Sequence, residues 1–185
     1  HLVGRLRQKG AEIVDFKDVD GGRIDVRDWE RISTLGDVDI IYHLAGITYV
    51  PFSFANPRET YEVNVFGTLN MLELSRLRNV DKFIFASTYV YGNPQYLPVD
   101  EKHPVQPTNP YARSKVLAEE ICCDYCRDFG IKCMILRCFN IYGEGQSGDF
   151  LIPRIVRQLR SRKIELGDPK PRRDFVHVSD VVDAY

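Results

Sequence analysis

Asp81-Lys82-Phe83-Ile84-Phe85-Ala86 is a short apolar run, and two hydroxyl side chains, Ser87 and Thr88, follow it. Its length and aromatic content suit a strand buried on both faces, which reads as a continuous apolar stretch rather than an alternating one. Three other runs share this character, Ala11–Phe16, Asp39–Leu44 and Ile131–Arg137. Between them lie segments of helical period. Pro57–Leu77 carries Val63, Phe66, Leu69, Leu72 and Leu77, and Tyr111–Phe129 carries Val116, Leu117, Ile121 and Tyr125. Strands alternating with helices predict an α/β fold around a doubly wound parallel sheet. Ligands of such sheets bind beyond the carboxyl ends of the strands, which is where Ser87 and Thr88 stand.

The stretch Tyr91–Pro110 holds prolines at 94, 98, 104, 107 and 110 and is expected to be a long irregular loop. After Arg137 the pattern changes, with Asn140-Ile141-Tyr142-Gly143, a basic helix expected around Pro153–Lys163, and then Arg172-Arg173-Asp174-Phe175. Ser179-Asp180-Val181-Val182-Asp183 has the signature of a helix start with Ser179 as its cap. A formal net charge of −1 gives no basic field of the kind that holds nucleic acid, so small-molecule partners are expected. No stretch approaches eighteen consecutive apolar residues, and the opening His1-Leu2-Val3-Gly4-Arg5 has no apolar core of a signal peptide. No membrane role is therefore expected, and the cytoplasm is the expected location.

Five cysteines, 122, 123, 126, 133 and 138, make a poor disulfide framework because their number is odd. Cys123-Asp124-Tyr125-Cys126 has C-x-x-C spacing, but it falls inside an expected helix rather than at a helix start where a thiolate is stabilised. Packing is the expected role. No metal site is read from the sequence. His43 and His177 read as satisfied interior histidines, and His103, in the proline-rich loop, as an exposed one.

Tyr111-Ala112-Arg113-Ser114-Lys115 sets a phenol and an ammonium four residues apart near a helix start, on one face. A tyrosine titrates near pH 10, and a neighbouring cation favours its phenolate, bringing a general acid or base toward neutral pH. Tyr-x-x-x-Lys alone is a weak signal. Here it follows a buried strand that ends in Ser87.

Six blocks occur in order: His43-Leu44-Ala45-Gly46, Asn64-Val65-Phe66-Gly67-Thr68, Ser87 through Val90-Tyr91-Gly92, Tyr111 with Lys115, Arg137-Cys138-Phe139-Asn140, and Arg173-Asp174-Phe175-Val176-His177-Val178. Together they resemble the nucleotide-sugar epimerase and dehydratase branch of the extended short-chain dehydrogenases, over essentially the whole chain. The resemblance implies a Rossmann-like fold, a bound NAD, with NADP not excluded, and a nucleotide diphosphate sugar as substrate. It implies Tyr111 as the acid/base, Lys115 lowering its pKa and binding the nicotinamide ribose, and Ser87 hydrogen-bonding the hydroxyl to be oxidised. It places Asp25 and Val26 at the adenine, Leu44, Ala45 and Gly46 along the cofactor, and Asn64 in support of that loop. Thr48, Thr88, Asn140 and Arg173 fall on the substrate side. The planar fork of an arginine suits a diphosphate. Residues 1–140 are then expected to form the dinucleotide-binding domain and 141–185 part of a smaller substrate-binding lobe interleaved with it. Relatives of this kind pair through the helices matching Pro57–Leu77 and Tyr111–Phe129, so a homodimer is expected.

The pattern also departs from the family. Its members open with a strand and a G-x-x-G-x-x-G turn, whereas His1-Leu2-Val3-Gly4-Arg5-Leu6 already resembles the middle of the first helix. The sequence is therefore expected to be part of a longer chain and to turn over little by itself. At the end of Ala11–Phe16, where an acidic residue favours NAD, Lys17 takes the position and Asp18 follows. Cys138 replaces the usual aromatic, and Phe150 stands where an asparagine is common. A 4,6-dehydratase in this branch carries an Asp-Glu pair just after the hydroxyl residue, and here those positions are Thr88 and Tyr89. The expected reaction is 4-epimerisation through a transient 4-keto sugar, with a dehydratase or keto-sugar reductase as the alternative. A non-catalytic nucleotide-binding relative is the second alternative, against which the intact Ser87, Tyr111 and Lys115 speak.

Overall fold

The computed structural model describes residues 1–14, 22–159, 163–167 and 170–185. Along these the order is α1 (Leu2–Gln8), α2 (Trp29–Ile32), β1 (Ile40–His43), α3 (Val50–Ala55), α4 (Pro57–Tyr61), a π-turn (Glu62–Phe66), α5 (Gly67–Leu77), β2 (Lys82–Thr88), α6 (Pro110–Phe129), β3 (Cys133–Cys138), β4 (Asn140–Tyr142), α7 (Leu151–Leu159), β5 (Phe175–His177) and α8 (Val178–Ala184). The chain divides into two compact units, one of residues 14–137 and one of residues 1–13 with 138–185.

In the 14–137 unit the strand order is β1-β2-β3. β1 runs parallel to β2 with Ile40 opposite Lys82 and His43 opposite Phe85. The crossover between them is the helical stretch from α3 to α5, as a parallel pair requires. Phe83, Phe85, Ile41 and Ile131 meet Met71, Leu72 and Leu74 of α5 and Ala118 and Cys122 of α6 in a single buried cluster. The α/β fold with a parallel pair and covering helices is thus the one the apolar runs predicted. Three of the four predicted strands form, each shifted at its ends, β1 to Ile40–His43, β2 to Lys82–Thr88 and β3 to Cys133–Cys138.

The fourth does not form within the described residues. The Ala11 N–H is taken by the Leu6 carbonyl at 3.0 Å, closing the end of α1, and residues 11–14 are irregular. Phe16, and Lys17 and Asp18, on which the choice between NAD and NADP was read, lie outside the described residues.

The helix predicted over Pro57–Leu77 is continuous in backbone path but changes winding at Glu62–Phe66, where it takes π geometry. The wider turn adds a residue and moves the buried stripe to Gly67, Thr68, Met71, Leu72, Leu74 and Ser75. Phe66 and Leu77, expected on that stripe, are instead 57% and 49% exposed. Gly67 is required by packing. A Cβ there would stand 2.5 Å from Cγ2 of Val26, and Asn70 donates to the Val26 carbonyl at 2.9 Å, so the Asp25-Val26 segment is pressed onto this helix.

α6 begins where Asn109 caps Ala112 N–H at 2.8 Å and Pro110 takes the first helical position. A cap followed by proline is a strong start signal, and it fixes Tyr111 in the first turn. Residues 91–109 contain no helix or strand, as their prolines predicted. His103, expected to be exposed, is 2% exposed. Its Nε2 accepts from Gln95 N–H at 2.9 Å and its ring faces Tyr91 and Tyr96, so it pins the loop.

In the other unit β4 and β5 pair in parallel, Asn140 opposite Phe175 and Tyr142 opposite His177. α7 starts two residues before the predicted helix and runs to Leu159, and residues 160–162 lie outside the described set. α8 is capped by His177, whose Nδ1 accepts from Ser179 N–H at 3.3 Å, rather than by Ser179. His177 is accordingly exposed, not interior.

The buried stripe of α5 gives a direct check. Leu72→Ala removes a fully buried side chain and should cost about 2–5 kcal/mol, whereas Leu77→Ala should stay within about 0.5 kcal/mol, both read by urea unfolding. Equal losses would contradict the stripe described here.

Candidate active site

Ser87 sits on β2 one residue before its end and is buried. Lys115 lies on the second turn of α6 and is 2% exposed, an unusual place for an ammonium. Its Nζ donates to the carbonyl of Ala86, the residue before Ser87, at 2.9 Å and stands 4.7 Å above the Phe85 ring. Burial pushes its pKa down from the usual 10.5 to about 8, against an opposing pull from Cys122 and Glu119. Tyr111, half-buried, is one turn earlier on the same helix. Its backbone N–H donates to Ser53 Oγ at 3.2 Å, and its carbonyl accepts from Ser114 Oγ at 2.7 Å. The phenol is therefore held from two sides through its main chain.

Asn64 is the hub of the adjoining loop. Lying in the π-turn and fully buried, it accepts from Ile47 N–H at 2.8 Å and donates to the Ile47 carbonyl at 3.0 Å and to Ser114 Oγ at 2.8 Å. The side-chain amide thus ties the loop after β1 to the first turn of α6. Ile47 follows Leu44, Ala45 and Gly46, of which the first two are exposed. At Gly46 a Cβ would meet Asn64 Oδ1 at 2.9 Å and Lys115 Nζ at 3.2 Å, so a side chain there would have to displace one of them. π-turns recur where a helix must present a residue out of its ordinary phase.

His43, at the end of β1, is buried, and its Nε2 lies 3.0 Å from Thr68 Oγ1. The Thr68 hydroxyl gives its one proton to the Asn64 carbonyl, so the imidazole donates to it and is neutral. Burial and the Lys115 charge drive its pKa down to about 3, which leaves His43 a packed donor, as read from the sequence.

Asp25 is exposed, and both its oxygens are engaged by Arg27, with Nε at 3.0 Å and Nη2 at 2.6 Å; the guanidinium holds its pKa below the usual carboxylate range. Thr48 is exposed and Thr88 half-buried. Tyr89 is committed elsewhere, its hydroxyl donating to the Gly92 carbonyl at 2.7 Å. Asn140 and Arg173 belong to the other unit. There Asn140 donates to the Asp174 carbonyl at 2.9 Å, and Arg173 is exposed.

Two charged residues beside Ser87 had no role in the sequence reading. Glu119, one turn beyond Lys115, accepts a hydrogen bond from Ser87 Oγ and a forked pair from Arg137, with Nε at 3.0 Å and Nη2 at 2.6 Å. The signal was the four-residue spacing Tyr111, Lys115, Glu119, which puts a carboxylate on the buried face of α6.

The cysteines are all unpaired. Burial raises the pKa of Cys123, and that of Cys126 to about 11, so neither is poised as a thiolate nucleophile. Among the described residues no group of three or more His, Cys, Asp or Glu is placed to hold a metal. No helix among them is long and apolar enough to cross a membrane.

Residues 1–185 match the family model described as NAD dependent epimerase/dehydratase family. A putative UDP-glucose 4-epimerase of Methanocaldococcus jannaschii is 36% identical over 100% of this chain and 67% of its own length. The GDP-6-deoxy-D-mannose reductase of Pseudomonas aeruginosa is 38% identical over 82% of this chain and 55% of its own. Among solved structures, the UDP-glucose 4-epimerase of Thermotoga maritima with UDP-glucose superposes with a TM-score of 0.88 at 29% identity, covering 100% of this chain and 67% of that one. The chain thus spans about half to two thirds of the length of these relatives.

Burial of Lys115 has a measurable cost. A lysine whose folded pKa lies near 8 rather than 10.5 destabilises the fold below pH 8 by about 3 kcal/mol. The bond to Ala86 returns about 1 kcal/mol. Lys115→Met should therefore raise unfolding free energy at pH 7 by about 2 kcal/mol, with the gain shrinking as pH rises from 8 toward 10.5. A loss of stability, or a difference independent of pH, would contradict this account.

Proposed function

Because the chain belongs to the NAD-dependent epimerase/dehydratase family, we propose that it carries the active site of a nucleotide-sugar 4-epimerase, an isomerase working through a transient 4-keto hexose. The observation that carries the reading is the buried Lys115 ammonium, bonded beside Ser87 and one helical turn from Tyr111. A cation held there favours the phenolate of Tyr111 over the phenol.

The residues fit a nicotinamide dinucleotide. Gly46 leaves bare backbone where a Cβ would strike Asn64 and Lys115, and the Ala86 carbonyl uses one of the three Lys115 donors. Leu44, Ala45 and Gly46 would lie along the cofactor, with Lys115 and Tyr111 at the nicotinamide ribose, and Asp25 and Val26 at the adenine. When bound, NAD would supply the acceptor and donor of the hydride. Tyr111 removes the proton of the sugar hydroxyl as hydride leaves carbon, and returns a proton after the keto sugar has turned. Ser87 hydrogen-bonds the reacting oxygen. Thr48, Thr88, Asn140 and Arg173 are assigned to the nucleotide diphosphate sugar. Residues 1–140 are proposed as the dinucleotide-binding domain and 141–185 as part of the substrate lobe.

A 4,6-dehydratase needs an acid and a base near C5 and C6. Thr88 and Tyr89 supply neither, and the Tyr89 hydroxyl is bound to Gly92. The second reading is a keto-sugar reductase, favoured by the 38% identical relative. The two differ in bookkeeping of electrons. An epimerase regenerates its oxidised cofactor each cycle, whereas a reductase consumes NADH or NADPH.

The unpaired cysteines suit a reducing compartment, and the cytoplasm is the proposed location. A homodimer is proposed through the helical face that carries exposed Phe66, Leu77 and Phe129. Sedimentation of the full-length protein should give twice the chain mass, and Phe66→Glu should shift it toward monomer; a monomer at micromolar concentration would contradict it.

With UDP-glucose or a related sugar and NAD, the full-length enzyme should form the C4 epimer with no net cofactor reduction, and Tyr111→Phe should lower kcat by about 100-fold or more. A 6-deoxy-4-keto product, stoichiometric consumption of reduced cofactor, or an active Tyr111→Phe variant would overturn the assignment.

A further inference from the structure

We infer that Ser53 is a positioning residue, whose hydroxyl ties the Tyr111 main chain to the segment that follows β1 and so fixes where the phenol stands. This rests on the reading of Tyr111 as the acid/base given above.

α3 buries its serine rather than its aromatic side chains. Ser53 is fully buried, whereas its neighbour Phe54 is 62% exposed. Packing alone would favour the reverse, because a phenylalanine gains far more from burial than a serine does. Part of what the hydroxyl needs is met within its own helix, where it donates to the Val50 carbonyl at 2.7 Å. Thr60 and Ser75, also buried, donate in a similar way to the carbonyls four residues back, at 2.9 and 2.8 Å. Such back-bonding is the ordinary behaviour of a hydroxyl inside a helix. Ser53 does more. With its proton given to Val50, it presents a lone pair outward, and this accepts from the Tyr111 N–H at 3.2 Å.

That N–H belongs to the first turn of α6, where backbone donors have no partner within the helix. Pro110 has no N–H. The Ala112 N–H goes to Asn109 Oδ1 at 2.8 Å and the Arg113 N–H to the Asn109 carbonyl at 2.9 Å, both local to α6. The Tyr111 N–H is the one taken by another element. The carbonyl of Tyr111 leads to the same place. It accepts from Ser114 Oγ, which accepts from Asn64 Nδ2, and that amide also donates to the Ile47 carbonyl. Ile47 and Ser53 both lie in residues 46–53, the segment that carries Gly46 and Thr48. The phenol is thus registered to the segment assigned to cofactor and substrate, and not to its own helix alone. Lys115, one turn on, is anchored separately on the Ala86 carbonyl. A shift of the first turn therefore changes the distance between phenol and ammonium, and a reacting group misplaced by about 1 Å loses on the order of 100-fold in rate.

The test compares Ser53→Thr with Ser53→Val in the full-length enzyme. The two side chains have nearly the same shape, so crowding at this buried position is common to both, and they differ in the hydroxyl. Ser53→Val should have a kcat about 10-fold below that of Ser53→Thr, with KM values within about threefold of one another. A phenolate displaced from Lys115 is less favoured, so the acid limb of kcat against pH should lie at higher pH in the Val variant. Ultraviolet titration of the phenol, taken as the difference between each variant and the same variant carrying Tyr111→Phe, should show the same upward displacement without substrate. If both variants fail to fold by circular dichroism, Ser53→Ala against the wild-type protein reads the same quantities, since it removes the hydroxyl and adds no atom. Equal kcat, acid limbs and titrations in each pair, or a loss confined to melting temperature, would make Ser53 a helix cap only and overturn the inference. If the wild-type protein forms no epimer, the proposed reaction fails, and the titration then decides by itself whether Ser53 positions Tyr111.

Discussion

The rest of the site is arranged around an ammonium taken out of water. Lys115 is 2% exposed, and a group so placed must be compensated or it loses its charge. Compensation comes from the Ala86 carbonyl at 2.9 Å and the Phe85 ring face at 4.7 Å. Both belong to β2, so the requirement fixes how α6 lies on the strand. It also leaves Gly46 no space for a side chain. The pKa that results, near 8, is well below the usual 10.5 and still leaves the group mainly protonated at neutral pH. A fold optimised for stability would place an apolar residue here, and retention of a costly lysine is what a functional site looks like energetically.

The buried face of α6 repeats this at four-residue intervals. Tyr111, Lys115 and Glu119 follow one another along it, a phenol, a cation and an anion. Each is tied to a different neighbour, Tyr111 through its main chain to Ser53 and Ser114, Lys115 to the end of β2, and Glu119 to Ser87 and Arg137. Asn64 completes the arrangement by using all of its side-chain donors and its acceptor to join the loop after β1 to the same helix. With so many polar groups buried together, each satisfied, the geometry is over-determined. Loss of Asn64 or of one partner of the Glu119 and Arg137 pair leaves a buried polar group unpaired, at about 1–3 kcal/mol or more, whereas Lys115 is the member whose burial is itself costly.

What the sequence made legible follows from period and chain-local chemistry. The apolar runs that became β1, β2 and β3, the proline-rich loop before α6, and the Tyr111 and Lys115 pair are each signals carried by residues close together in the chain. What was not legible depends on partners distant along the chain. His103 is buried because Tyr91, Tyr96 and Gln95 fold around it, although its own surroundings are prolines and charges. Phe66 and Leu77 fell off the predicted stripe because the π-turn at Glu62–Phe66 shifts the helical phase, and that turn has no marker in residue type. Glu119 and Arg137 are eighteen positions apart. Their pairing needs β3 beside α6, which a helical pattern alone does not reveal.

In the proposed epimerisation hydride leaves one carbon of the sugar and returns to the same carbon. A substrate hexose deuterated at C4 measures this directly when the product is analysed by proton NMR and mass spectrometry. The product expected is an epimer that retains deuterium at C4, with none at C6 and none lost to solvent. Deuterium found at C6, or replaced by protium from reduced cofactor, would contradict it.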